Sequence, residues 1–206
     1  MTAVSSVLLV AGLVAVVTWQ VVAWQARDAV VVGADARPFI CTRGSTVAAS
    51  EGDDPADPGD RYTTALELTR GLNCDLRFVV SNTSALPVRV RSVQLPLLGP
   101  ESGLPVHATA LDGGFFIAAA RPANDRLDAR FIVPGAGLEI PAGDQVVLFA
   151  RLRWKNDGCT AAGSTTSTDN SPAVTVSVLG IDGVRSPGLV SWAYRGEDEA
   201  SCPSRG

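Results

Sequence analysis

No charged side chain precedes Arg27, and Val7–Val17 holds nothing more polar than Gly12. All 17 basic and 21 acidic residues lie from Arg27 onward. The uncharged run from Val4 to Ala26 supplies about 20 apolar residues, which at about 1.5 Å each span a hydrocarbon core of about 30 Å. Its β-branched valines weaken a helix in water. In lipid the backbone can satisfy its hydrogen bonds only internally, so a helix is expected. Trp19 and Trp24, with Gln20 and Gln25, stand at its C-terminal end, where an aromatic belt meets headgroups.

A cleaved signal peptide is the competing reading. It needs a basic start, an apolar core of about 7–15 residues and a nearby small-x-small site. Nothing basic precedes this core, and the nearest good site, Ala34-Asp35-Ala36, lies too far beyond it. Cys41 is the first cysteine, which excludes a lipoprotein anchor. The sequence therefore divides into a transmembrane anchor (1–26), a short tether (27–36) and an outer domain (37–206).

The domain is acidic. A net charge of −4 and a pI near 5.0 lack the basic face of a nucleic-acid binder. Arg27, Arg37 and Arg43 follow the anchor and alone place the domain weakly inside. The cysteines point the other way. Cys41, Cys74, Cys159 and Cys202 are even in number, widely spaced and without a C-x-x-C, as in an oxidising compartment. Three pairings are open. Cys41–Cys74 and Cys159–Cys202 are favoured because each flanks one turn-rich insertion, Thr42–Asp60 or Asn156–Pro172. A metal site is disfavoured, since His107 is the only histidine. The domain is thus expected outside a single-pass cell-membrane anchor.

Beyond residue 26 the chain reads as short strands between turns. Leu76, Phe78 and Val80 alternate with Asp75 and Arg77 in a run that ends at Ser81-Asn82-Thr83-Ser84, and Val88-Arg89-Val90-Arg91 alternates again. A phase change to Val93 and Leu95 predicts a bulge near Ser92. Phe115–Ala118, Ala129–Val133, Gln145–Trp154, Ala173–Leu179 and Leu189–Tyr194 follow. Pieces near Phe39 and Tyr62–Leu68 bring the expected number to about eight or nine strands. The fold class is all-β, an antiparallel β-sandwich.

The stretch Leu76–Pro96, LRFVVSNTSALPVRVRSVQLP, resembles the paired strands of bacterial immunoglobulin-like, adhesion-type domains. Ile140–Leu152, IPAGDQVVLFARL, resembles their Pro-x-Gly turn entering a long strand. The resemblance implies an immunoglobulin-like sandwich and no functional residue.

Catalytic sets are sparse. His107 lies in an expected strand without a G-x-S-x-G elbow anywhere, and Lys155, the sole lysine, reads as a solvated strand end. Glu51–Asp60 carries five carboxylates suited to Ca²⁺ but lacks EF-hand spacing, and its two prolines favour an extended loop. Asn82-Thr83-Ser84 is a formal glycosylation sequon that a turn explains equally well. Sixteen Arg against one Lys fit a GC-rich bacterial coding sequence. Trp154, Trp192 and Tyr194 read as core or sheet-face residues.

These features lead us to expect a membrane-anchored extracytoplasmic protein with a structural or protein-interaction role. Its expected partners are membrane lipid, through residues 4–26, and another envelope protein. No catalytic residue, cofactor or metal is expected, and no nucleic acid. One alternative is a pilin-like assembly subunit, although no Glu occurs before Glu51 to mark a processed pilin helix. Another is a hydrolase using carboxylates or Ca²⁺ in the acidic loop.

Overall fold

The computed structural model describes residues 2–47, 64–122, 126–160, 163–168, 171–187, 192–197 and Cys202, with the helix's side chains from Val10 onward. The acidic stretch Glu51–Asp60, Tyr62 and the start of Leu189–Tyr194 lie outside the described residues.

The uncharged segment forms α1 (Thr2–Asp28). It contains no proline, and the Thr18 hydroxyl donates to the Val14 carbonyl at 2.8 Å, which satisfies it within the helix. Val10, Leu13, Val14, Val16, Trp19, Val21, Val22 and Trp24 are exposed around the whole circumference, and among the helix's described side chains only Ala23 and Ala26 are buried. A helix from a soluble core would hide one stripe of large side chains. Here only 11% of the apolar span Val10–Asp28 is buried, so α1 is not a core helix. It is long and apolar enough to cross a membrane.

Fifteen strands follow among the described residues. The first seven are β1 (Val30–Arg43), β2 (Thr46–Val47), β3 (Ala65–Leu68), β4 (Asn73–Asn82), β5 (Val88–Leu95), β6 (Val106–Asp112) and β7 (Ile117–Ala119). Next come β8 (Arg121–Pro122), β9 (Ala129–Ile132), β10 (Leu138–Ile140) and β11 (Gln145–Trp154). The last are β12 (Thr165–Thr168), β13 (Ala173–Val178), β14 (Ile181–Arg185) and β15 (Trp192–Gly196).

They build three sheets. Sheet I has the order β1-β4-β11-β6-β7, sheet II the order β14-β13-β5-β9-β8, and sheet III the order β12-β15-β3-β2. β10 also pairs with β5, so β9 and β10 lie end to end along one strand. All pairs are antiparallel except β15 with β3. The all-β class and the apolar N-terminal helix are therefore present. The strands are more numerous than the eight or nine expected, because short pieces outside the runs read from the sequence, β2, β8, β10, β12 and β14, also pair into the sheets.

Alternation explains the packing. β4 buries Cys74, Leu76, Phe78, Val80 and Asn82, while the residues between them face outward. Leu148, Ala150 and Leu152 of β11 share that inner face. Val88, Val90, Val93 and Leu95 of β5 join Val174, Val176 and Val178 of β13 in the same core. Each such side chain contributes about 1.5–3 kcal/mol on burial. Sheet III is seated by its aromatics. Trp192 meets Phe78 at 6.5 Å between ring centres, and Tyr194 meets Phe39 edge-on at 6.3 Å.

The bulge expected near Ser92 is present. Thr175 pairs with Ser92 but Val176 pairs with Val90, which leaves Arg91 as the extra residue and turns both Ser92 and Val93 inward. The β9–β10 turn needs Gly137, whose φ is +91° and where a Cβ would stand 2.6 Å from the Val90 carbonyl oxygen.

The tether expected over 27–36 is absent. Arg27 and Asp28 complete α1, and Val30–Ala34 pair with β4 from Asn82 to Phe78. Val30 and Val32 are buried while Val31 is exposed, as in a strand of a sheet with one wet face. β1 leaves the ladder between Ala34 and Phe39, around Pro38, which has no N–H to donate, and bulges again between Cys41 and Arg43.

Candidate functional site

A groove opens at the splice between helix and sandwich. Arg185 of β14 caps the end of α1. Its Nε donates to the Arg27 carbonyl at 2.7 Å, an acceptor that the helix leaves open, and its Nη2 pairs with the Asp28 carboxylate. Arg27 returns the contact, with Nη1 donating to the Asp182 carbonyl at 2.6 Å. Below this clamp, Trp19, Gln20, Val21, Trp24, Arg27 and Ile181 line a groove of about 640 Å³.

Neighbouring turns brace the splice. The Thr83 amide and hydroxyl both donate to the Ala29 carbonyl, at 3.1 and 2.6 Å. Asn82 is buried. Its Nδ2 lies within 3.0 Å of the Leu86, Ile140 and Pro141 carbonyls, and its Oδ1 accepts from the Ser84 amide and hydroxyl. An amide so engaged ties the β4–β5 turn to the β10–β11 turn and is closed to glycosylation, so the sequon is a turn.

The outer face of sheet I carries paired charges. Asp35 bonds Arg77 at 3.1 Å, Arg77 stacks over Phe149 at 5.2 Å, and Arg151 lies 3.7 Å from Asp75. Asp75, Asp112, Phe149 and Arg151 border a shallow cavity of about 240 Å³. Asp112 accepts the Gly114 amide at 2.8 Å. Both carboxylates thus have partners. On sheet II, Glu139 accepts both Nε and Nη2 of Arg89 through one oxygen.

Lys155 departs from the solvated strand end expected of it. It is buried at the end of sheet I remote from α1, where its Nζ donates to the Ser102 carbonyl at 2.7 Å and the Ser102 hydroxyl at 2.9 Å. The Ser102 hydroxyl in turn donates to the Gly99 carbonyl at 3.0 Å. An ammonium donating twice is a structural pin and holds no free pair with which to deprotonate the serine. Burial lowers the Lys155 pKa, opposed by Asp157. His107 sits nearby, its pKa lowered first by burial and then by the Lys155 charge. No sequence pattern signals this cluster, because a loop lying far upstream in sequence supplies Ser102.

Both disulfides form, Cys41 with Cys74 and Cys159 with Cys202. Trp192 and Tyr194 are core residues, and burial raises the Tyr194 phenol above its ordinary range. Trp154 packs at the core's edge. Among the described residues, no group of three or more His, Cys, Asp or Glu could hold a metal ion.

No family model matches the chain, and no curated protein matches it. Solved structures show distant similarity. A GH20 exo-β-N-acetylglucosaminidase from Vibrio harveyi has a TM-score of 0.36 at 7% identity, over 86% of this chain and 19% of that one. AvmM, which catalyses macrocyclization in alchivemycin A biosynthesis, has a TM-score of 0.36 at 7% identity, over 80% of this chain and 92% of that one. An uncharacterized β-sandwich protein from Clostridium difficile 630 has a TM-score of 0.20 at 6% identity, over 76% and 83%. This chain spans about a fifth of the glucosaminidase. At these scores the likeness brings neither fold family nor activity to this chain.

Proposed function

We propose that this protein is a single-pass, membrane-anchored envelope protein. It holds a disulfide-bonded, immunoglobulin-like sandwich outside the cell in a structural or protein-interaction role, without catalysis. The observation that carries the reading is a helix exposed and apolar on every side that enters the sandwich without a linker. Cleavage at Ala34-Asp35-Ala36 would strip Val30 and Val32 from the core and separate Asp35 from Arg77. That cost supports an uncleaved anchor. Two disulfides suit an oxidising compartment. The immunoglobulin-like reading rests on the sequence resemblance of Leu76–Pro96, whose two strands, β4 and β5, do not pair with each other but lie in different sheets. The paired charges on sheet I offer a face for another envelope protein.

The test is to express the full chain in a bacterial host and extract membranes with alkaline carbonate. The recovered chain is then sequenced from its N-terminus, and intact cells are treated with protease. The expected result is an intact chain in the pellet whose domain is cleaved from outside. A chain released to the supernatant after N-terminal processing, or one protected from external protease, would overturn the reading.

A further inference from the structure

The tip of the β13–β14 hairpin is built against its own turn chemistry. Val178 pairs with Ile181, leaving a two-residue loop of Leu179 and Gly180 at φ +51° and +81°. Such a turn favours Asn, Asp or Gly at its first position, and leucine is strained there. Leu179 nonetheless occupies it with 47% of its surface exposed. On the sheet II side it borders a polar cavity with Pro87, Arg89, Glu139 and Asp182, which gives the leucine no apolar seat.

Its position along α1 suggests what does. β14 runs beside the last turns of the helix, with Arg185 at Arg27 and Asp28, Gly183 against the Arg27 side chain, and Ile181 in the groove with Trp19, Gln20 and Trp24. The hairpin therefore extends back along the anchor, and its tip stands at the level of the two tryptophans. The turns that share this end, Thr83–Pro87 and Pro141–Asp144, add only Asp144, and the other charges near the tip, Asp182 and the Arg89–Glu139 pair, lie on its sheet II side.

We infer that the β13–β14 tip is a second membrane contact: Leu179 enters the phospholipid interface beside Trp19 and Trp24, and lipid fills the groove between helix and hairpin. This rests on the anchored reading above and deepens it. An aromatic belt marks the depth where one end of a side chain is wet and the other apolar. A leucine at that depth buries surface that water would otherwise meet.

The test uses the full chain in phosphatidylcholine nanodiscs containing lipids spin-labelled near the headgroup. All four native cysteines are paired, so Leu179→Cys offers one free thiol for an environment-sensitive dye. Arg70→Cys, beyond the start of ten-residue β4 and roughly 30 Å from the helix end, is the reference site. Quenching at 179 and not at 70 is the expected result. Quenching at neither site, with the chain retained in the disc, overturns the contact and leaves the anchor intact. Quenching at both overturns a tip-specific contact, and a chain that never enters the disc overturns anchor and contact together.

Because the dye is itself apolar, a second arm labels Ser177→Cys in chains carrying either Leu179 or Leu179→Asn. Asparagine suits the turn, so the hairpin persists. The Asn chain is expected to lose most of the quenching at 177, and unchanged quenching would overturn the role of the leucine.

Discussion

At the end of the sandwich remote from α1, where β4 begins and beyond the end of β11, the chain is closed covalently by Cys41–Cys74 and Cys159–Cys202. At the helix end the same sheets are closed by hydrogen bonds and charge: the Asn82 hub, the Thr83–Ala29 contacts and the Arg185 clamp. The difference follows loop length. The remote end carries the two long polar insertions, whose closure costs entropy that a crosslink removes from the unfolded chain. The helix end has tight turns, and a few well-placed polar groups suffice to fix those.

The strongest way to break this contrast is at the crosslinks. Replacing Cys159 and Cys202 together by Ala removes a link across 43 residues and is expected to cost roughly 4 kcal/mol. Denaturant unfolding of the full chain in micelles measures it. Amide exchange at Ala29–Val32 should stay unchanged, since the helix end does not depend on that staple. Next in size is Asn82→Ala, which takes the side-chain donor from the buried Ile140 carbonyl and the acceptor from the Ser84 amide and should cost about 2–3 kcal/mol in the same assay. Smaller still is Arg185→Met, which keeps apolar volume but uncaps α1. We expect about 1 kcal/mol, read as faster exchange at Ala29–Val32 with no change at Asn73–Leu76.

The smallest effect is a pH dependence confined to the remote end. Burial lowers the His107 pKa below its ordinary 6.5, so the folded chain binds this proton less tightly than the unfolded one. The stability this contributes is complete above pH 6.5 and is lost as pH falls from 6.5 toward the lowered folded value. His107→Gln should flatten that part of the stability profile, measured by thermal melts between pH 7.5 and pH 5. His107 is the only histidine, so an unchanged profile would assign the acid limb to carboxylates.

Period-2 alternation made β4, β5, β11 and β13 legible in the sequence, and the phase change at Ser92 located a real bulge. β1 was not legible as a strand from its start. Val30-Val31-Val32 carries no polar alternation, and Gly33 and Pro38 read as linker punctuation, so its place was set by pairing with β4. Lys155 was misread because burial of a lysine depends on the loop that folds over it, and no local pattern records that. The hairpin tip went unremarked because the strain at Leu179 is a backbone angle, invisible in residue identity alone.

One pairing also dictates an order of assembly. β3 lies parallel to β15, so residues near opposite ends of the domain's sequence must meet before sheet III exists. On a chain made from its N-terminus, β1, β4 and their aromatic faces are present long before Trp192 and Tyr194 arrive to cover Phe78 and Phe39. Such long-range closure is the slow kind. Cys202 follows β15 and the second staple sets only after it, so the newborn domain passes through an interval with its aromatic flank open.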